Sequence, residues 1–266
     1  GDNTSAIGFG GSSNTTATEE WTGAGAPIGA WSTGGNLNTA RSFLAGAGTQ
    51  TAALAFGGYV TPGGEALTEK YDGTSWTEVN DLNTSRSFLA GAGTQTSALA
   101  FGGETPPNTA LTESWNGTSW TEVADLNTAR YGLGGAGGDN TSALAFGGVV
   151  APKAQTESWN GTSWTNVADL NLGRFGISGV GASNTSALAF AGEATPPNTG
   201  NTESWNGSSW TEVNNLNTVR QLSGAAGIQT SAIAFGGEGP PFLANTEDWN
   251  GVSWVEVADL NMARYA

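Results

Sequence analysis

The chain has 266 residues, eight basic against 23 acidic, giving a formal net charge of −15, and it contains neither Cys nor His. Without Cys there are no disulfides, thiolate metal sites or cysteine nucleophiles, and the redox compartment stays open; without His, imidazole acid–base chemistry, His-ligated metals and Ser-His-Asp triads are excluded. A surface of this sign repels phosphate backbones, so no nucleic-acid partner is expected, and apolar stretches such as residues 98–101 are far too short for membrane insertion.

From its first residues the chain repeats one unit. A Phe followed by two small residues, mostly Gly-Gly, recurs at Phe9, Phe56, Phe101, Phe146, Phe190 and Phe235, at intervals of 44 to 47 residues. Blade five departs slightly, with Ala191-Gly192 in place of two glycines. Self-similarity at this period marks an array whose units cannot bury their apolar faces alone. The repeats run at about 1–47, 48–92, 93–137, 138–181, 182–226 and 227–266, with no linker, so a single domain over 1–266 is expected. Glycine is abundant at 42 residues, but the regular Trp and Phe argue against disorder.

The first repeat starts at Gly1-Asp2-Asn3-Thr4, which matches a turn later in the chain at Gly138-Asp139-Asn140-Thr141. The unit reads most clearly from 131 to 174. Residues 131–137 are Gly, Ala and Leu after a Tyr. Residues 141–148 (TSALAFGG) alternate Ala143 and Ala145 with Leu144 and Phe146, a strand period. A loop containing Pro152 leads to residues 156–159, and Asn160-Gly161 predicts a tight type I′ hairpin turn to a return strand at 163–167. Four short strands per unit, here a to d from the axis outward, and no helical period predict an all-β fold. It is expected to be a six-bladed β-propeller of four-stranded antiparallel blades. Strand a is built of Gly and Ala, as in Ala45-Gly46-Ala47-Gly48, which suits the crowded axis; Trp and Val of strand d pad between blades. The last repeat ends at Arg264-Tyr265-Ala266, where a strand a would begin. N- and C-terminal segments are therefore expected to close the ring, leaving a weakened seam or a parent chain that continues; the missing initiator Met and signal pattern predict a processed or excised piece.

The Gly-Gly after an apolar strand, the Glu-x-aromatic of strand c, the Trp opening strand d and the Leu-Asn-Thr-x-Arg before the next unit resemble kelch repeats over the whole chain. Two departures are a unit shorter than the family's length of about 50 residues and Asn-Gly in place of its longer c–d turn. The near-identity of the repeats is also similar to arrays in virion-associated or extracellular proteins, especially of phages. The kelch resemblance implies that arginines placed like those here line a pocket for acidic peptides.

Those arginines are Arg41, Arg86, Arg130, Arg174, Arg220 and Arg264, one per unit, matched by Glu19, Glu69, Glu113, Glu157, Glu203 and Glu247. Equal numbers predict one bidentate pair per blade; the sharper reading is an anion site at the channel rim. The Trp pairs flanking Asn-Gly read as inter-blade packing or, more sharply, as sugar-stacking platforms. Antiparallel alternation places the a–b and c–d turns on one face and the b–c and d–a loops on the other. The second face carries the variation, in loops 12–17, 59–67, 104–111, 149–155, 193–201 and 238–245. Its expected ligand contacts are Tyr59, Pro106, Pro107, Pro196, Pro197, Pro240, Pro241 and Phe242, beside the six arginines.

Near-identical blades supply one group six times, whereas an active site needs different groups converging. The expectation is a non-enzymatic binding or structural module of an extracellular or virion surface, recognising a protein or glycan within a larger chain or assembly. It is expected to use no cofactor and no metal. The alternative is a carbohydrate-active hydrolase or lyase using loop carboxylates such as Glu65, Glu104, Glu193 and Glu238 with the rim arginines.

Overall fold

The computed structural model describes residues 4–23, 29–149, 151, 153–194 and 197–265. Six antiparallel sheets stand radially around one axis. Five have four strands in the order a-b-c-d, and the first has three. Blade four shows the pattern: a is Gly134–Asp139, b is Ser142–Phe146, c is Thr156–Trp159 and d is Trp164–Asn166. Blade one consists of Ser5–Phe9, Thr18–Thr22 and Ala30–Thr33, which are its b, c and d strands.

Strand a starts three residues later than the composition suggests. The second residue after five of the repeat arginines has left-handed backbone, as at Gly132 (φ 62), and this kink ends the loop before the strand can pair. The glycines of strand a then answer to crowding. A Cβ on Gly135 would lie 2.7 Å from the carbonyl O of Gly91 in the neighbouring blade and 2.9 Å from Phe101 Cζ.

The c–d turn also differs from expectation. Trp159 pairs directly with Trp164, leaving a four-residue loop, and only Gly161 has positive φ. Instead of a two-residue I′ turn, the Asn160 side chain organises the loop. Its Oδ1 accepts the N–H groups of Thr162 and Ser163, both at 2.9 Å. Asp72 does the same in blade two, and these backbone donors hold its carboxyl below the usual range.

The core lies between blades. Leu99 and Phe101 of blade three pack with Ala143, Ala145, Trp159 and Trp164 of blade four. Every strand-b Phe meets the strand-d Trp of the following blade edge-on, from Phe9–Trp76 to Phe190–Trp254. Phe235–Trp31 joins the last blade to the first in the same way. Each of these Trp Nε1–H groups donates to a buried Thr of the preceding blade's strand c. Trp164 to Thr112 is 3.1 Å, and Trp31 to Thr246 carries the bond across the seam at 3.0 Å. The Trp rings are thus consumed in packing and are not open stacking platforms. The outer d strands of blades three and five open on a buried Trp followed by exposed Thr and Glu, and a charged edge discourages strand addition from outside.

Candidate functional site

The d–a loops build the second face and lock it to the blades. In each loop a Leu-Asn pair precedes the Arg, and both Asn and Arg converge on the strand-c Glu of the following blade. Glu113 shows the geometry: Oε2 accepts the backbone N–H and the Nδ2–H of Asn83, both at 2.7 Å, while Oε1 accepts Arg86 Nη2 at 3.0 Å. Arg86 Nη1 also donates to the carbonyls of Gly102 and Leu111. The arrangement repeats at Glu69, Glu203 and Glu247, with Arg–Glu distances of 2.7, 2.8 and 2.6 Å; at Glu157, Asn127 binds Oε2 in the same way, while Arg130 Nη2 lies 3.1 Å from Oε1 as an ion pair without hydrogen-bond geometry. At Glu19 the partners are Asn261 and Arg264, so the sixth clamp joins the two ends of the chain. The seam is therefore closed by side chains and by Ser12 N–H donating to Tyr265 O at 2.9 Å.

These clamps correct the anion-site reading of the arginines. Arg41, Arg86, Arg174 and Arg220 are 0% exposed and Arg264 only 6%, and each guanidinium faces a carboxylate. Burial lowers every one of their pKa values, that of Arg174 to about 10, with the paired Glu opposing the shift. All six remain cationic at neutral pH and are enclosed in the scaffold. An external anion would have to displace a hydrogen-bonded carboxylate to reach them.

What five of the arginines position is the residue pair after them. Phe43, Phe88, Gly132, Gly176 and Leu222 occupy equivalent places with φ of 53, 52, 62, 60 and 51°. They pass backbone hydrogen bonds around the axis: Phe88 N–H to Phe43 O, Gly132 to Phe88, Gly176 to Gly132 and Leu222 to Gly176, at 2.8 to 3.0 Å. Over this ring lies an aromatic cluster. Phe43 and Phe88 stack at 3.8 Å, Tyr131 and Phe175 meet at 5.7 Å, and Phe43 touches Tyr265 at 5.8 Å. All five rings belong to half-buried residues, and a cavity of about 170 Å³ underlies them, lined by Leu89, Leu133, Ile177 and Ser178 among others. Sequence reasoning missed this cap. Its signal was an aromatic residue one or two places after the Arg in five of six units.

The b–c loops border the cap. Tyr59, Glu104, Glu193 and Glu238 pair through isolated bridges with Ser42, Ser87, Phe175 and Gln221, which follow the arginines directly. Of the expected contacts, Tyr59 is half-buried, while Pro106, Pro107, Pro197, Pro240 and Pro241 are exposed. Phe242 is 47% exposed and lies 4.8 Å from the Tyr265 ring, which brings it into the cluster. Pro196 lies outside the described residues. The Glu238 carboxylate accepts Gln221 Nε2 at 2.9 Å. Among the described residues, no group of three side chains is placed to hold a metal, and no helix is long and apolar enough to cross a membrane.

The opposite face is also structural. Asn140 in an a–b turn donates to Ser114 Oγ and Trp115 O of the preceding blade and accepts from Ser97 Oγ. Asn184 and Gln229 grip blades four and five in the same way.

The architecture defines a six-bladed β-propeller. The chain is similar to a solved structure described as that of YjhT, at 13% identity and a TM-score of 0.78, with 97% of this chain and 95% of that chain covered. At that identity the likeness shows the fold alone. No protein-family model matches the chain, and no curated protein matches it.

Proposed function

We propose that the chain is a kelch-like, non-enzymatic binding module of an extracellular or virion surface, and that it engages a glycan or protein through the aromatic cap and the b–c loops around it. One observation carries the reading. Phe43 and Phe88 hold a left-handed backbone that Gly holds at 132 and 176. For a bulky L-residue that conformation costs about 1–2 kcal/mol. Strain held where a neutral substitute is already in use by sister blades argues for a purpose beyond packing. Rings half-open to solvent, with Phe242 beside them, suit stacking against a sugar face or an apolar side chain. The kelch-like repeat pattern and the variation confined to this face agree with it.

The test is binding of the protein to glycan and peptide arrays, compared with F43G/F88G and with F242A. The double variant removes two rings while giving the backbone the residue its conformation favours, so folding is retained. Loss of array binding in both variants with unchanged near-UV circular dichroism is expected. Ligands bound equally by all three proteins would overturn the reading.

A further inference from the structure

The aromatic cap has one polar place. The residues that follow the arginines supply a ring in five loops, through Phe43, Phe88, Tyr131, Phe175 or Tyr265, whereas the loop before blade six supplies Gln221-Leu222. In the order of the blades Gln221 stands between Phe175 and Tyr265, and it does what Phe175 does one blade earlier. A Cβ on Gly132 would meet the Phe175 ring at 2.0 Å, and a Cβ on Gly176 would meet Gln221 Oε1 at 3.2 Å. The carboxamide therefore lies over Gly176, on the side of blade five.

Two neighbours hold it there. Gln221 and Glu238 exchange backbone hydrogen bonds of 3.1 and 2.7 Å, and Asn198 Nδ2–H from blade five donates to Glu238 O at 2.8 Å. The Gln221 Nε2–H donates to Glu238 Oε2 at 2.9 Å, which fixes the orientation of the amide, since its carbonyl cannot face a carboxylate. Oε1 is thereby turned the other way. Gln221 is only 9% exposed, and among the described residues its Oε1 accepts no hydrogen bond. A buried acceptor without a donor is costly, and a ligand N–H that reaches it recovers the cost.

The surroundings define the donor. The six arginines are enclosed with their glutamates and present no free positive charge at the cap. The b–c loops that rim it carry Glu65, Glu104, Glu193 and Glu238 against a single base, Lys153. Aromatic faces attract a cation as well.

We infer that Gln221 and Glu238 form a subsite for a protonated primary amine, the lysine side chain of a protein partner. The inference rests on the reading of the cap as a binding surface and names the group that its polar place takes. One ammonium N–H answers Gln221 Oε1, another answers the Glu238 carboxylate, and the apolar stem lies along the neighbouring rings. Arginine fits less well. Its two-pronged donation to a carboxylate needs both oxygens, and Oε2 of Glu238 is already held by Gln221.

The probe is Nα-acetyl-lysine amide, titrated into the protein and followed through the proton–nitrogen correlation signals of the Gln221 side-chain amide. Its Nε-acetylated form keeps the stem without the charge, and Glu238→Gln keeps the shape of the subsite without the carboxylate. Saturable shifts are expected, with affinity about tenfold or more weaker for the acetylated probe and for Glu238→Gln. Glu122→Gln, which removes the same charge from the exposed outer wall, should bind the probe like the native protein, and near-UV circular dichroism checks the fold of both variants. Equal affinity for the two probes, equal affinity of the native and Glu238→Gln proteins, or no shift of the Gln221 signals at the highest soluble probe concentration would each overturn the proposal. Tighter binding of glucosamine than of the lysine probe would overturn it in favour of a glycan. The cap reading is scored separately: array binding that survives F43G/F88G and F242A removes it whatever the lysine probe does. Array ligands lost in those variants but kept by Glu238→Gln, with no response to the lysine probe, remove the subsite and leave the cap.

Discussion

Replacing Glu113 by Gln removes one charge and no volume, in a clamp whose every partner is known. The glutamate side chain is 2% exposed and that of Arg86 0%. At 3.0 Å, and with the effective dielectric of about 20 that describes protein sites, the charge–charge attraction is roughly 5–6 kcal/mol. The neutral amide keeps part of this through its dipole. It cannot keep the rest of the geometry, because its NH₂ must face either the guanidinium or the Asn83 N–H groups, all of them donors. One side of the clamp is left with donor against donor in a dry site. The expected loss is about 3–5 kcal/mol, the cost of breaking a buried pair from one side.

With about 3 kcal/mol per molar as the urea dependence, the unfolding midpoint should fall by about 1 M or more. Thermal unfolding should drop by at least about 6–12 °C. Intrinsic fluorescence of the Trp residues reports both. Glu122→Gln is the control: it lies opposite Glu113 on the exposed strand d and should shift stability by no more than about 0.5 kcal/mol. Equal, small losses in the two variants would refute the claim that the clamps hold the blades.

Thr112→Val leaves the Trp164 indole N–H buried without its acceptor, and should cost about 1–3 kcal/mol in the same urea titration; a double-mutant cycle with Trp164→Phe should recover most of that loss. Tyr71 has its pKa raised to about 12, first by burial and then by its hydrogen bond to Glu20. The folded state therefore holds the phenol proton more tightly than the unfolded chain, and the resulting stabilisation is complete below about pH 10 and is lost as pH rises from 10 towards 12. The difference in urea midpoint between the native chain and Tyr71→Phe should shrink across that window; a difference that stays constant from pH 8 to pH 11.5 would be against it.

The six blades were legible because Phe, Trp, Arg and Glu each recur in phase and each has one geometric role. The equal numbers of Arg and Glu pointed to one bidentate pair per blade; the structure pairs them at every blade, but through a single Nη2–Oε1 contact each, because Nη1 is turned to backbone carbonyls such as those of Gly102 and Leu111. Other features were hidden for identifiable reasons. Asn-Gly at 160–161 carries the signature of a two-residue turn, yet the Asn160 carboxamide accepts two backbone N–H groups and so stabilises a four-residue loop. The left-handed kink after the arginines is visible where Gly132 and Gly176 occupy it, but not where Phe43 and Phe88 do, so the aromatic cap escaped notice. Asn140, Asn184 and Gln229 looked like ordinary turn residues, because the carbonyls and hydroxyls they grip belong to a blade more than 20 residues away. The proline loops were placed on the correct face by strand alternation alone.

The side-chain closure at Glu19 has a mechanical consequence. Residues 5 and 265 lie on either side of one seam, so tension applied between them loads the Arg264–Glu19 and Asn261–Glu19 contacts first, along with the Trp31–Thr246 bond. Once that clasp opens, the ring becomes a line of near-identical links, each held to the next by the same indole–threonine bond and the same aromatic contact. Extension should then proceed as a series of nearly equal steps, each releasing one unit of about 45 residues, or roughly 150 Å of chain. A ring of this kind behaves as a bracelet whose clasp is made like its links, so its resistance to pulling is set by where the force is attached.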